Sequence, residues 1–394
     1  MKRRILMVSS VPLAKPWNGA DKNLAKLLVR RDRHNHFVVH TSAKESWDPH
    51  TDVTAIRSRR VSAMPTTEQR LREMGYMLRY SGSADLIHLV ASLHGPSSWT
   101  GQALRAWSTF RQRPLVHTLP SVGDVPIERR NFAGDATVVV SEHTRRRLQE
   151  HGVSNVFRVY PPLEMESLHP VHPARSEGAI REFGLGDQAI LYPAHYGEDS
   201  GIREILQAFS RLRGDLAPHE PVLVLACRSH AWQDPEAEKR KILQQAAEAG
   251  IADRIRVLGH VSDMPALIRA CAVTVLVPRR LSAKMDLPLV ILESLALGRP
   301  VIVGDQAPIS EALLGEGGFK VPYGDVPALA SSLARLLGSA GLRERLAEGG
   351  RASVLEHCDP EKVVEHYQGI YERVARPTSS QVFRVRDEKR SGAV

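Results

Sequence analysis

Cysteine is scarce in this chain. The three present, Cys227, Cys271 and Cys358, are odd in number, far apart and in no C-x-x-C spacing. That excludes a disulfide scaffold and a cysteine-rich zinc module, and it suits a reducing compartment. Cys227 and Cys271 sit inside apolar runs and read as core residues. Aromatic residues make up only 5 %, and no basic–aromatic run, zinc-finger spacing or heptad accompanies them, which disfavours nucleic acid as a partner. No uninterrupted apolar stretch approaches the roughly 18 residues of a membrane span. The most hydrophobic one, Leu287 to Gly304, is broken by Glu293 and Arg299. Met1-Lys2-Arg3-Arg4 carries the charge of a signal start, but only Ile5 to Val8 follow as an apolar run. That is too short for a signal sequence, so the expectation is a cytoplasmic protein.

What is present is ordinary globular material, 42 % hydrophobic and 25 % charged over 394 residues, enough for about two to three domains. Lys and Arg exceed Asp and Glu by 53 to 44, a net charge of +9. Such a balance attracts phosphorylated small molecules or an anionic surface, and it also fits a plain solvated exterior.

Short apolar runs alternate with helical stretches along the whole chain. Ile5–Val8, Phe37–His40, Leu86–Val90, Leu115–Thr118 and Ala136–Val140 read as strands, the last opening into a helix capped by Ser141. From Tyr160 to Asp187 prolines and glycines accumulate and no long apolar run crosses, so this stretch reads as a domain boundary. The alternation restarts with Ala189–Tyr192, Val222–Leu225, Ile255–Leu258, Val273–Val277 and Val301–Val303. Continuous apolar strands separated by helices indicate parallel sheets covered on both faces. The fold class is therefore α/β, with two doubly wound Rossmann-like halves. In such a protein ligands are expected at the carboxyl ends of the strands, in the cleft between halves.

Four segments carry a family resemblance that runs from Ile5 to about Tyr371. Asn18-Gly19-Ala20 precedes an apolar helix, and Gly134 to Glu142 reads GDATVVVSE. Leu292-Glu293-Ser294-Leu295-Ala296-Leu297-Gly298-Arg299-Pro300-Val301 and Gly317 to Asp325, GGFKVPYGD, follow in order. Together they resemble the retaining glycosyltransferases of family four, which have the two-Rossmann-domain GT-B fold. The resemblance implies an N-terminal, acceptor-side domain over 1–165 and a donor-side domain over 166–355. It also implies a C-terminal helix over 356–376 crossing back to the first domain, leaving a mobile basic tail over 377–394. Apolar residues at helical spacing, Val363, Val364, Tyr367, Ile370, Tyr371 and Val374, support a buried face on that helix.

The implied activity is transfer of a sugar from a nucleotide-diphosphate sugar to a small-molecule or glycan acceptor, with retention and without a metal or other cofactor. Glu293 would hold the ribose hydroxyls, the Leu289 and Val290 amides the diphosphate, and Gly19 would let backbone approach the sugar. Pro288 fits the first turn of the same helix. Val261 would add a nucleotide contact. The alternative roles are a capping or ion-paired glutamate and a plain turn glycine.

Three departures mark the phosphate and sugar positions. The family places two acids eight residues apart, the second at Glu293, but Met285 holds the first place, leaving Asp286 as the neighbouring acid. The loop Pro278 to Lys284 before it is about three residues longer than usual for the family. The family's G-R-x4-K-G becomes Ala194 to Gly201, with His195 in the arginine place and Ser200 in the lysine place. An H-x-H at a strand end becomes His88 with Val90, and His94 follows in a Gly-Pro loop. His88 reads as a structural residue, while His94 is a candidate for reaching the sugar. Arg228, Arg279, Arg280 and Lys284 are the candidate replacement cations, with His195 as helper; ordinary solvated loop charges are the competing reading. A sugar phosphorylase and a non-catalytic nucleotide-sugar-binding protein with a degenerate site remain as alternatives. The segment Arg57 to Arg79 fits either a basic amphipathic helix in peripheral contact with an anionic membrane or a solvated helix on the first sheet. Monomer and homodimer both stay open.

Overall fold

The computed structural model describes residues 2–9, 13, 19–42, 47, 51–58, 67–92, 96–123, 126–128, 132, 134–168, 173–186, 188–212, 220–229, 233–281 and 285–375. The chain divides into two compact units, Met1–Pro162 with Pro360–Val394, and Leu163–Asp359.

The first unit is built on a parallel sheet of β1 (Arg3–Ser9), β2 (Asn35–Ser42), β3 (Val53–Ser58), β4 (Leu86–Val90), β5 (Leu115–Leu119), β6 (Ala136–Val139) and β7 (Val156–Arg158), in the order β3-β2-β1-β4-β5-β6-β7. Between the strands run α1 (Ala20–Arg31), α2 (Thr67–Ser81), α3 (Pro96–Phe110) and α4 (Glu142–Glu150). All five residues of β4 and of β5 are buried, the signature of central strands covered on both faces. Ser141 caps α4 as its position suggests, accepting from the Thr144 amide at 3.1 Å.

The second unit begins with α5 (Pro173–Phe183) and continues β8 (Ile190–His195), α6 (Ile202–Ser210), β9 (Leu223–Arg228), α7 (Pro235–Glu248), β10 (Ile255–Leu258), α8 (Met264–Ala270), β11 (Val273–Leu276), α9 (Leu289–Ala296), β12 (Val301–Gly304), β13 (Gly318–Val321), α10 (Val326–Leu337) and α11 (Ala340–His357). Its parallel sheet has the order β10-β9-β8-β11-β12-β13. Both sheets thus start from a central strand, wind outward on one side, and return to wind outward on the other, which is the doubly wound Rossmann order. Tyr192, Ile205, Leu206, Phe209, Leu225 and Val275 form the middle of the second core.

The final helix, α12 (Pro360–Ala375), belongs to the first unit and lies against α1 and β5. Val363, Val364, Tyr367, Ile370 and Tyr371 are buried, as the helical spacing indicates; Val374 at the end of the stripe is only half-buried. Tyr371 Oη meets His88 Nδ1 at 2.8 Å, His88 Nε2 meets Thr118 Oγ1 at 2.8 Å, and Thr118 Oγ1 meets Tyr367 Oη at 3.1 Å. Burial pushes the His88 imidazole down to about 3 and its neighbour His117 down to about 4. His88 is thus a neutral core residue with both ring nitrogens engaged.

The stretch Tyr160 to Asp187 is not simply a connection. It contains α5, which packs on α8 within the second unit. Ile180 and Phe183 are its half-buried apolar residues in the described part, too few to register as a periodic run. No helix among the described residues is long and apolar enough to cross a membrane. The tail over 377–394 lies outside the described residues.

Candidate functional site

The second sheet reverses its winding between β8 and β11, so the crevice at their carboxyl ends is where a doubly wound sheet binds ligands. β8 ends at His195, and in the β8–β9 register His195 stands opposite Arg228, the last residue of β9. The Tyr196 amide donates to the Arg228 carbonyl at 3.0 Å, and both His195 and Arg228 are exposed. An imidazole and a guanidinium therefore sit side by side at the strand ends.

A tight turn follows. Glu198–Ser200 form a short 3-10 turn, and Gly201 at φ +78° opens α6. Only glycine fits there, because a Cβ would lie 2.3 Å from Tyr192 Oη and 2.4 Å from the Val277 carbonyl. Tyr192 Oη donates to the Ser200 carbonyl at 2.7 Å. The Ser200 hydroxyl donates to the Gly197 carbonyl at 2.5 Å and accepts from the Ile202 amide at 3.3 Å. It is engaged in holding the turn.

Beyond β11 the chain passes Val277 and Pro278 to Arg279, whose amide donates to the Asp199 carbonyl at 2.9 Å. Arg279 Nε lies 3.9 Å from Asp199 Oδ1, and the guanidinium is 62 % exposed. Gln306, just past β12, donates from Nε2 to the Pro278 carbonyl at 2.5 Å, while its Oε1 is buried without a partner among the described residues. Arg280 is exposed beside Arg279, and Val261 is half-buried after β10.

Met285, Asp286 and Leu287 are all buried, Asp286 at 2 % exposure. Pro288 is the residue before the first turn of α9 rather than inside it, because its ψ of 120° is extended. Its carbonyl accepts from Ile291 and Leu292, and the half-exposed Leu289 and Val290 amides meet no acceptor among the described residues. Such a helix start presents open donors and the positive end of the helix dipole. Glu293 follows one turn later. Part of it reaches the surface, and no described group donates a hydrogen bond to its carboxylate. Burial pushes the Glu293 carboxyl up to about 7, against the opposing pull of Arg228.

The second unit thus brings together His195, Ser200, Arg279 and Arg280 at its winding reversal, and couples Glu293 on α9 electrostatically to Arg228 at the end of β9. His94 and Lys284 lie outside the described residues. Gly19 precedes α1 with φ −126°, an ordinary extended conformation, so no turn strain demands glycine there. In the Arg57 to Arg79 segment, Arg59 and Arg60 and the side chains of Arg70 and Arg72 also lie outside the described residues. Met77 and Tyr80 pack on the first core, whereas Tyr76, Leu78 and Arg79 are exposed. Sequence reasoning missed one pair near the β8 turn. Tyr323, after β13, donates from Oη to Glu204 Oε1 at 3.0 Å, and Glu204 is 5 % exposed with Oε2 unpartnered among the described residues. A carboxylate in the first turn of an amphipathic helix was the available signal.

Two units with doubly wound parallel sheets, the second bearing open helix-start amides and several basic side chains near its winding reversal, have the GT-B architecture. Residues 187–339, within the second unit, match the family described as Glycosyl transferases group 1. The chain is 27 % identical over 199 residues to N-acetyl-alpha-D-glucosaminyl L-malate synthase of Bacillus anthracis, covering 50 % of this chain and 49 % of that protein. It is 28 % identical over 305 residues to D-inositol 3-phosphate glycosyltransferase of Salinispora tropica, covering 70 % and 61 %. The matches therefore span about half to three-fifths of these relatives. Among solved structures, Anabaena Alr3699/HepE in complex with UDP and glucose has a TM-score of 0.72 at 15 % identity, covering 94 % of this chain and all of that one. Sucrose-phosphate synthase from Thermosynechococcus elongatus also gives 0.72, at 19 % identity over 95 % and 99 %. At these identities the likeness is one of fold.

Proposed function

We propose that this protein transfers a glycosyl group from a nucleotide-diphosphate sugar to an acceptor hydroxyl, with retention of anomeric configuration. The observation that carries the reading is Glu293: a carboxylate raised by burial, with no described hydrogen-bond donor, one turn beyond two open amides. A ribose supplies paired hydroxyl donors for such a carboxylate, and a diphosphate supplies acceptors for such amides. One nucleoside diphosphate satisfies both. Binding replaces the lost hydration of Glu293 with two charge-assisted hydrogen bonds.

The chemistry follows from charge. Departure of a nucleoside diphosphate from the anomeric carbon concentrates negative charge on the phosphate oxygens, so fixed donors and cations near them lower the barrier. In this reading the Leu289 and Val290 amides, His195 and the arginines of the β11 loop do that work, and the acceptor attacks from the face the phosphate leaves. No metal is required when side-chain cations neutralise the diphosphate. Asp286 is a proposed polar contact to the sugar and Val261 a proposed contact to the base, and the acceptor is assigned to the first unit. The relatives named above act, by their names, on malate and on inositol 3-phosphate, so a small anionic acceptor is the first class to try. Calorimetric titration of the full chain with nucleoside diphosphates, their monophosphates and inorganic phosphate tests the reading. Micromolar binding of one diphosphate supports it; binding of inorganic phosphate alone favours a phosphorylase instead.

A further inference from the structure

The turn after β8 departs from the family pattern at both of its cations, yet a diphosphate bound there requires one. Ser200, in the lysine place, is occupied with capping the turn. The candidates that remain are not equivalent. Arg228 opposes the rise of the Glu293 carboxyl. Arg279 is different, because the β11 exit is joined to the β8 turn at two points. Gly201 lies against the Val277 carbonyl so closely that no Cβ fits, and two residues on the Arg279 amide donates to the Asp199 carbonyl at 2.9 Å. Its backbone is therefore fixed beside Ser200, although the two lie 79 residues apart in sequence (279 − 200).

The side chain is exposed and only loosely paired. Nε lies 3.9 Å from Asp199 Oδ1, a loose pair, while Nη1 and Nη2 meet no acceptor among the described residues. An exposed guanidinium whose Nη groups meet no described acceptor is open to bidentate contact with a phosphate. We infer that Arg279 is the diphosphate-binding cation of this protein. It enters from the β11 loop to occupy the role that the family gives to a lysine at the Ser200 place, its backbone fixed by the Asp199 carbonyl. The inference rests on the nucleotide-sugar reading and names the residue that makes the altered turn competent. It also explains the coupling of two departures: a lysine absent from one loop and a cation added in the next.

The test uses the full chain and calorimetric titration with UDP and UMP, with the GDP/GMP and ADP/AMP pairs in parallel. R279A is expected to weaken the best-bound diphosphate at least tenfold and its monophosphate by less than threefold, while K241A, at an exposed position on α7, changes neither. The double variant R279A/S200K, which restores the cation at the family position, is expected to recover diphosphate affinity to within threefold of wild type. Both R279A and S200K alter exposed or half-exposed residues, and unchanged thermal unfolding confirms that each variant is folded. Equal diphosphate affinity in wild type and R279A overturns the inference while leaving the nucleotide-sugar reading intact. So does equal loss of monophosphate and diphosphate affinity, or failure of the added lysine to restore binding. If the wild-type protein binds none of the three diphosphates, the reading and the inference fall together.

Discussion

Tyr371, near the end of the last helix, and His88, in the middle of the first sheet, share a hydrogen bond of 2.8 Å between Oη and Nδ1. Both are fully buried. Removing one hydroxyl leaves the imidazole nitrogen in the core without a partner, which costs about 1–3 kcal/mol. Tyr371→Phe is therefore expected to destabilise the first unit by that amount. Hydrogen exchange of peptides from β4, β5 and α12 measures it locally. Protection unchanged in all three would contradict this account of how the last helix is fastened.

The same core makes stability depend on pH with a defined sign. His88 stays neutral down to about 3 and His117 down to about 4, whereas a free imidazole titrates near 6.5. Between those values the unfolded chain binds protons that the folded one does not, so the histidine contribution to stability falls as pH drops below about 6.5 and is fully lost only near 3. His117→Gln keeps a donor for the Ala91 carbonyl, which His117 Nε2 meets at 3.2 Å. That variant is expected to show a shallower decline between pH 6 and pH 4, followed by urea unfolding with a first-unit probe.

Glu293 should govern nucleotide affinity. A charge-assisted hydrogen bond contributes about 1.5–3 kcal/mol, so Glu293→Ala is expected to weaken binding of the nucleoside diphosphate roughly ten- to a hundredfold. Because its carboxyl in the empty site lies near 7, ligand hydroxyls that favour the carboxylate make binding release a proton. Affinity then rises as pH increases through 7. Glu293→Gln should lose this dependence and retain only that of the phosphate, and identical pH profiles for the two proteins would contradict the assignment.

Gly201 carries the turn. Gly201→Ala would combine a positive φ with overlap onto Tyr192 Oη and the Val277 carbonyl, and strain of that kind costs on the order of 1–3 kcal/mol. Lower thermal stability is expected. A wild-type melting curve for this variant would show that the turn is not packed as described.

The apolar central strands were legible in sequence because burial on both faces leaves them without polar interruption. β3, β7 and β13 were not. Val53–Ser58 at one sheet edge alternates with exposed residues, Val156–Arg158 is three residues long, and Gly318–Val321 has one fully buried position. Pattern reading depends on contrast, and edges have little. In the candidate site, Glu293 was legible because a carboxylate interrupts an apolar helix. The stitch between Asp199 and Arg279 was not, since two loops distant in sequence meet only through sheet winding. Ser200 shows the same limit from the other side: its residue type suggested a ligand donor, but its hydroxyl closes its own turn.

The most direct measurement of the central claim is product analysis after incubating the protein with UDP-, GDP- and ADP-sugars and a pool of small acceptors. Mass spectrometry is expected to detect an acceptor gaining one glycosyl residue with equal release of nucleoside diphosphate, and the NMR coupling of its anomeric proton should match the donor's configuration. Absence of any glycosylated product from a protein that binds none of these donors would contradict the claim, as would a product formed with inverted configuration.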